Sequence, residues 1–183
     1  TAPGASLALA GWVKTVRLSK GGFCFITLYD GSCQASVQIV ADKSLPNYES
    51  EVALLGAGCS VLVRGAVVAS PGKGQAVEVK ASGVQVLGKA DGETYPIQPK
   101  KHTLEFLREV AHLRPRTNLF GAVARVRNEV CRSIHDFFQS EGFLYVHTPI
   151  ITASDCEGAG QMFRVSTLDP EKPPRSPDGK VDF

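Results

Sequence analysis

The chain is poor in the features that would place it quickly. It has one tryptophan, one methionine and five cysteines among 183 residues. The cysteines, Cys24, Cys33, Cys59, Cys131 and Cys156, are odd in number and form no C-x-x-C pair. That excludes a disulfide framework and the paired spacing of a zinc site, so they read as reduced thiols. No run approaches the roughly 20 apolar residues of a membrane span, and no signal-peptide core is present. The chain therefore reads as soluble, with no membrane contact. Lys and Arg number 20 against 18 Asp and Glu, a formal charge of +2. Net charge does not argue for nucleic acid, and any RNA contact must come from a local patch. No His-Glu-x-x-His and no Gly-x-Ser-x-Gly occurs, and His102, His112, His135 and His147 share no useful spacing. Each histidine reads as surface or structural. Ser70 to Gln75, SPGKGQ, lacks both the Gly-Lys-Ser/Thr ending and the following helix of a phosphate loop, which leaves a hairpin turn. The chain opens Thr1-Ala2-Pro3 without Met, as after loss of a leader or in an excerpt.

What is present falls into two halves. An apolar share of 43% is ordinary for a globular chain of one large or two small domains. Leu7 to Val16, Gly22 to Tyr29 and Cys33 to Val40 are β-prone runs set apart by Gly, Ser and Asp-Gly signals. A helical insert is expected over Leu45 to Leu55, followed by strands over Ser60 to Val68 and Ala76 to Val86. Three strands, a helix and two strands is the order of a five-stranded OB barrel, an all-β domain over residues 1–88.

Period two assigns faces. Cys24, Ile26 and Leu28 point to the core, and Phe23, Phe25, Thr27 and Tyr29 point away. On the third run Cys33, Ala35, Val37 and Ile39 are apolar, leaving Gln34, Ser36 and Gln38 opposite. Strands two and three form the usual binding face of an OB barrel. There, aromatic rings stack bases and amides read base edges, while Lys14, Arg17 and Lys20 reach phosphates. Packing of Phe23 and Phe25 beneath another element is the competing expectation.

Residues 89–116 read as a linker and hinge. Gly88 to Pro96 is polar and ends at proline, and Lys100, Lys101, His102, Arg108, His112, Arg114 and Arg116 then concentrate positive charge. Such a segment suits nucleic-acid backbone, because phosphate contacts position without reading sequence. Any single member equally suits a solvated face paired with Glu105 or Glu109.

Residues 117–183 open on a helix. Leu119, Val123, Val126, Val130, Ile134 and Phe137 recur in steps of four, three, four, four and three, one face of an α-helix that needs a partner. Gly142 sits where a left-handed cap is wanted, and Phe143 to Val146 reads as a strand ended by Pro149. The run from Ser154 to Phe163 then joins acids to glycines.

The helix with Gly142, Phe143, Val146 and Pro149 resembles motif 1 of the class II aminoacyl-tRNA synthetases. TASDCEGAG-x-MF at Thr152 to Phe163 and EVAHLRPRT at Glu109 to Thr117 are similar to the asparaginyl-tRNA synthetase family, within the aspartyl, asparaginyl and lysyl subgroup. Gly11-Trp12-Val13, Arg17 and Phe25-x-x-Leu28-x-Asp30 are similar to that subgroup's N-terminal domain. The resemblance implies a mixed fold: the OB barrel, then the beginning of an α+β catalytic domain with an antiparallel sheet and the motif 1 helix. It implies that Phe25 stacks on the central anticodon uridine, with Phe23, Gln38 and Arg17 beside it. Lys14, Lys100, Lys101 and Arg114 would follow the tRNA backbone. Gly142, Phe143, Val146 and Pro149 would lie in a homodimer interface. Ser154, Glu157, Gly158 and Gly160 would close over the amino acid, Glu157 facing its ammonium group, since an unpaired charge in a dry pocket is costly. The family has Glu where this chain has Gln161.

The implied reaction is ATP-dependent activation of L-asparagine to asparaginyl-adenylate, then transfer to tRNA(Asn), with no DNA partner. ATP and Mg2+ would be held mainly by residues beyond Phe183, since motifs 2 and 3 are absent and no catalytic residue or metal ligand falls within the chain. These residues alone should bind without catalysing. The alternatives are an inactive paralogue serving RNA binding or dimerisation, and aspartyl specificity. The expected compartment is the cytoplasm, or a mitochondrion or chloroplast after loss of a leader.

Overall fold

The computed structural model describes residues 2–72, 74–152, 154, 158, 163, 165–169 and 171–182. The chain divides into two compact units, Thr1–Phe137 and Phe138–Phe183.

The first unit holds a closed five-stranded barrel: β1 Ser6–Leu18, β2 Phe23–Tyr29, β3 Val37–Asp42, β4 Ser60–Ala69 and β5 Val77–Gly88. Around the barrel the order is β1-β2-β3-β5-β4, antiparallel throughout except for the parallel β3–β5 pair. Closure leaves no free sheet edge. Alternation on β2 is as expected: Cys24 and Ile26 are fully buried, Leu28 nearly so, and the intervening residues lie outside. Val13, Ile39, Ala41, Val61, Val63 and Val79 complete the interior. Ser70 N–H donates to the Ala76 carbonyl at 3.0 Å, closing the β4–β5 hairpin where the glycine-rich run suggested a turn.

Two expected elements of the first unit differ. β3 begins at Val37, so Cys33 to Ser36 are loop and Gln34 leaves the strand face. The Asp30 carboxylate explains the late start: it accepts from the Ser32 backbone N–H and hydroxyl, folding the chain back on itself before pairing resumes. The insert at Leu45 to Leu55 holds only a 3₁₀ turn, Val52–Leu54. Its backbone mixes bonds of different reach, Glu51 N and Val52 N both to Asn47 O and Ala53 N to Tyr48 O, so no single helix propagates. Buried Leu45, Tyr48, Val52 and Leu55 nonetheless plug the barrel.

Residues 89–116 are strapped to the barrel. Cys59 Sγ exchanges contacts with the backbone of Ala90, and Gly58, at φ +91°, gives room for the Tyr95 ring, which a Cβ would meet at 2.7 Å. Helix α1, Leu104–Glu109, starts on a Thr103 cap whose hydroxyl accepts from Phe106 N–H, and it buries Leu107. Helix α2 runs Asn118–Ser140 with its first turn capped by the Thr117 hydroxyl, which accepts from Phe120 N–H. The apolar stripe predicted on α2 exists and faces solvent, from Val123 at 40% to Val126 at 62% exposure.

In the second unit Gly142, at φ +85°, ends the helix as predicted. Gly142 N–H donates to Gln139 O and Phe143 N–H to Phe138 O, the paired bonds of a Schellman cap. Phe143 and Phe138 pack edge to face at 5.5 Å between ring centres, the apolar contact that accompanies such a cap. The strand expected at Phe143 to Val146 does not form: residues 143–149 are irregular, because no neighbouring strand pairs with them among the described residues. A small hairpin bridges Arg175 and Val181.

Candidate nucleic-acid interface

The outward residues of β1, β2 and β3 form a grid. Register sets Trp12 beside Tyr29, then Thr15 beside Thr27 and Gln38, then Arg17 beside Phe25 and Val40, then Phe23 beside Asp42. Down β2 the outward series is thus Phe23, Phe25, Thr27, Tyr29, three aromatic residues and one threonine. Phe25 is half-buried on this outer face rather than sealed in the core, and the Arg17 guanidinium lies 4.7 Å from its ring centre. Phe23 is 40% exposed at the open end.

Gln38 stands on the same face. Its Nε2 donates to Glu78 Oε2 at 2.9 Å, and Ser70 Oγ donates to the same oxygen at 3.0 Å. Among the described residues Glu78 is the one buried charged residue. The sequence reading missed it, because its place beside Gln38 depends on the parallel β3–β5 pairing and not on local pattern. The Val77-Glu78-Val79-Lys80 alternation, which sets Glu78 on the strand face opposite Val79, was the available signal, although it does not foretell that Glu78 is buried.

A second cluster lies where the strap meets the barrel. Arg116 stacks on Trp12 at 4.7 Å and donates from Nη1 to the Tyr95 hydroxyl at 3.1 Å. Burial pushes the Tyr29 phenol up to about 12, against the pull of Arg116 and with a further rise from Tyr95. Lys14 is skipped by the β1–β2 register, a bulge that re-aims its side chain: Nζ lies over Tyr29 and reaches Asn118 Oδ1 at 2.5 Å. A groove of about 670 Å³ is lined here by Lys14, Tyr29, Tyr95, Lys100, Lys101 and Arg116. Arg114 is elsewhere, stacked on Phe120 at 4.8 Å. Gln34 Nε2 donates to Asn118 O and Arg125 Nη2 to Gly31 O, fastening the start of α2 to the β2–β3 loop.

The structure therefore brings Phe23, Phe25, Arg17 and Gln38 onto one face, and Lys14, Lys100 and Lys101 into one groove. Of the remaining predicted positions, Phe143 and Val146 are exposed at 61% and 71%, and Pro149 lies in the same irregular segment. Ser154 N–H donates to Thr152 Oγ1, and Gly158 has φ +63°. Glu157 and Gly160 lie outside the described residues, as do Asp155 and Gln161.

Residues 7–87 match the OB-fold nucleic acid binding domain family, and residues 103–172 match the class II tRNA synthetases of the D, K and N group. The matches define a class II tRNA synthetase chain with an OB barrel in front. The chain is 61% identical over 181 residues to the asparagine–tRNA ligase of Myxococcus xanthus, covering 98% of this chain and 39% of that protein. It is 57% identical over 178 residues to that of an Enterobacter species, covering 97% and 38%. The crystal structure of the Pyrococcus horikoshii asparaginyl-tRNA synthetase with asparaginyl-adenylate superposes at a TM-score of 0.78, with 25% identity over 90% of this chain and 38% of that one. The chain belongs to the asparaginyl-tRNA synthetase family and spans under two fifths of the length of these relatives.

Proposed function

We propose that the chain contributes the tRNA-gripping barrel and the amino-acid loop of an asparagine–tRNA ligase, which activates L-asparagine with ATP and transfers it to tRNA(Asn). The observation that carries this reading is the outer barrel face, where Phe25 stands with Arg17 on one neighbouring strand and the Gln38–Glu78 pair beyond the other. A flat ring takes a base by stacking, a guanidinium neutralises phosphate, and an amide reads a base edge. The groove with Lys14, Lys100 and Lys101 then follows the backbone by charge alone. Ser154, Glu157, Gly158 and Gly160 are proposed to close on asparagine, with Glu157 opposite its ammonium group. A homodimer through Gly142, Phe143, Val146, Pro149 and the apolar face of α2 completes the reading.

The family works with ATP and Mg2+. Among the described residues no three His, Cys, Asp or Glu side chains converge to hold a metal. The test is a titration of the protein with an RNA hairpin carrying the asparagine anticodon and with the same hairpin carrying a scrambled loop. At least tenfold tighter binding of the first is expected, and equal binding of both would remove the barrel from anticodon recognition.

A further inference from the structure

Three hydrogen bonds tie the barrel directly to the start of α2. Gln34 Nε2 donates to the Asn118 carbonyl at 2.8 Å, Arg125 Nη2 donates to the Gly31 carbonyl at 2.6 Å, and Lys14 Nζ reaches the Asn118 side chain. Asn118 and Arg125 share one face of the helix with Gly121, at steps of three and four, on the far side from the stripe that Leu119, Val123 and Val126 begin. One face is thus clamped and the other left open. Gly121 lets the loop come close, since a Cβ there would meet Gln34 Oε1 at 3.4 Å and Pro115 O at 3.3 Å. On the barrel side Gly31 takes φ +84°, a conformation that favours glycine, within the turn that Asp30 and Ser32 close. The loop so fastened joins β2, which carries Phe25, to β3, which carries Gln38. Its anchorage therefore sets how the outer barrel face is oriented against α2. The bonds join residues 84, 94 and 104 apart, and they cross from the OB-fold match at residues 7–87 to the synthetase match at residues 103–172 without passing through the strap.

We infer that Gln34 and Arg125 are positioning residues, which hold the barrel face at a fixed attitude to the long helix of the synthetase match so that a tRNA gripped by the barrel presents its acceptor end for aminoacylation. This rests on the reading of the chain as part of an asparagine–tRNA ligase. Neither residue needs to touch a substrate, because each acts on the other domain's backbone, at Asn118 and at Gly31. With the clamp closed, barrel and helix are ordered before the tRNA arrives. With it open, the barrel still grips, but the ordering is deferred to the transition state, where it slows the transfer rather than the binding.

The experiment compares the full-length protein with a Gln34→Ala, Arg125→Ala double variant in three assays: hairpin binding, ATP–pyrophosphate exchange and aminoacylation of tRNA(Asn). The kcat for aminoacylation should fall about ten- to a hundredfold, the scale of a misplaced reacting end. Binding of the asparagine-anticodon hairpin, ATP–pyrophosphate exchange and the KM for tRNA should stay within about twofold, because none of them depends on the clamp. Arg125→Lys, made alone, should keep most of the rate, since an ammonium still donates to the Gly31 carbonyl. Gly121→Val should reproduce the double variant without removing any polar group, by crowding Gln34 off the helix. Unchanged aminoacylation in the double variant would overturn the inference. So would exchange or hairpin binding that falls in step with aminoacylation, since the residues would then support one domain by itself. A full-length wild-type protein that does not charge tRNA(Asn) would instead overturn the ligase reading, and the inference with it.

Discussion

The Arg17 guanidinium covers the Phe25 ring from the neighbouring strand, 4.7 Å from its centre, and the two residues are register partners across β1 and β2. On the proposed reading, the cation stands where phosphate would follow a base stacked on Phe25. Phe25→Ala is expected to weaken binding of tRNA(Asn) by about 1–3 kcal/mol, the range for one base–aromatic stack. Arg17→Ala should also reduce the slope of log K against log salt by about 0.7, one phosphate contact on a single strand. Arg17→Lys should keep that slope and still lose affinity, because an ammonium has no flat face to lay on the ring. Titrations at several salt concentrations separate the three variants, and an unchanged slope in Arg17→Ala would remove its phosphate role.

Arg116 joins the strap to the barrel by stacking on Trp12 of β1, and a hydrogen bond to Tyr95 ties it back within the strap. Arg116→Ala is expected to destabilise the first unit by about 1–2 kcal/mol, combining a partly desolvated cation–π contact with one hydrogen bond. Trp12 is the single tryptophan, so its emission reports this junction directly. Urea unfolding followed at Trp12 should show a lower midpoint and an altered native signal. An unchanged native spectrum would mean that Arg116 does not rest on Trp12 in solution.

Burial of Cys24, Tyr29 and Tyr48 raises all three groups and is expected to shape the alkaline limit of stability. Burial raises the Cys24 thiol from 9.0 to about 11 and the Tyr29 phenol from 10.0 to about 12. In both cases the unfolded chain releases its proton first, so their contribution is intact below pH 9 and is lost as pH climbs through the folded values. Urea midpoints should be flat up to about pH 9 and then decline. Tyr29→Phe should reduce the decline between pH 10 and 12, to which Tyr48 also contributes. A decline that begins below pH 9 would have another source.

Glu157 is a proposal from the resemblance and the chemistry of the substrate rather than from geometry. In the full-length protein, Glu157→Ala should raise the asparagine concentration needed for ATP–pyrophosphate exchange by tenfold or more and leave the ATP requirement within about twofold, since a lost charge-assisted hydrogen bond costs about 1.5–3 kcal/mol. Equal effects on both substrates would argue against an ammonium contact.

Local pattern carried far in this chain, and its failures share one cause. Alternation on β2 assigned Cys24, Ile26 and Leu28 to the interior correctly, and the Gly142 cap followed from its place after a periodic helix. Both depend only on residues close in sequence. The Glu78–Gln38 contact joins residues 40 apart in the chain, on strands that become neighbours only when the barrel closes. Gln34 was assigned to the strand face because alternation cannot detect the Asp30–Ser32 turn that delays β3. Phe143 to Val146 has the composition of a strand, but a strand is a property of a pair. The strap's hold on the barrel depends on rings and a guanidinium separated by up to 104 residues between Trp12 and Arg116, beyond the reach of any window.

The α2 stripe tests the proposed dimer. Leu119, Val126, Val130, Ile134 and Phe137 are each more than half exposed, from 52% to 62%, and form one continuous apolar face. A face of this kind is normally covered by protein, since each Val or Ile side chain gains about 1.5–3 kcal/mol on full burial. Val130→Asp with Ile134→Asp leaves helix and barrel packing untouched, because both side chains already project into solvent. In the full-length protein the pair should convert a dimer to a monomer in sedimentation velocity, while tRNA hairpin binding by the barrel stays within about twofold. A dimer that persists with both aspartates in place would move the interface off this helix, because two charges buried without partners would cost more than the contact returns.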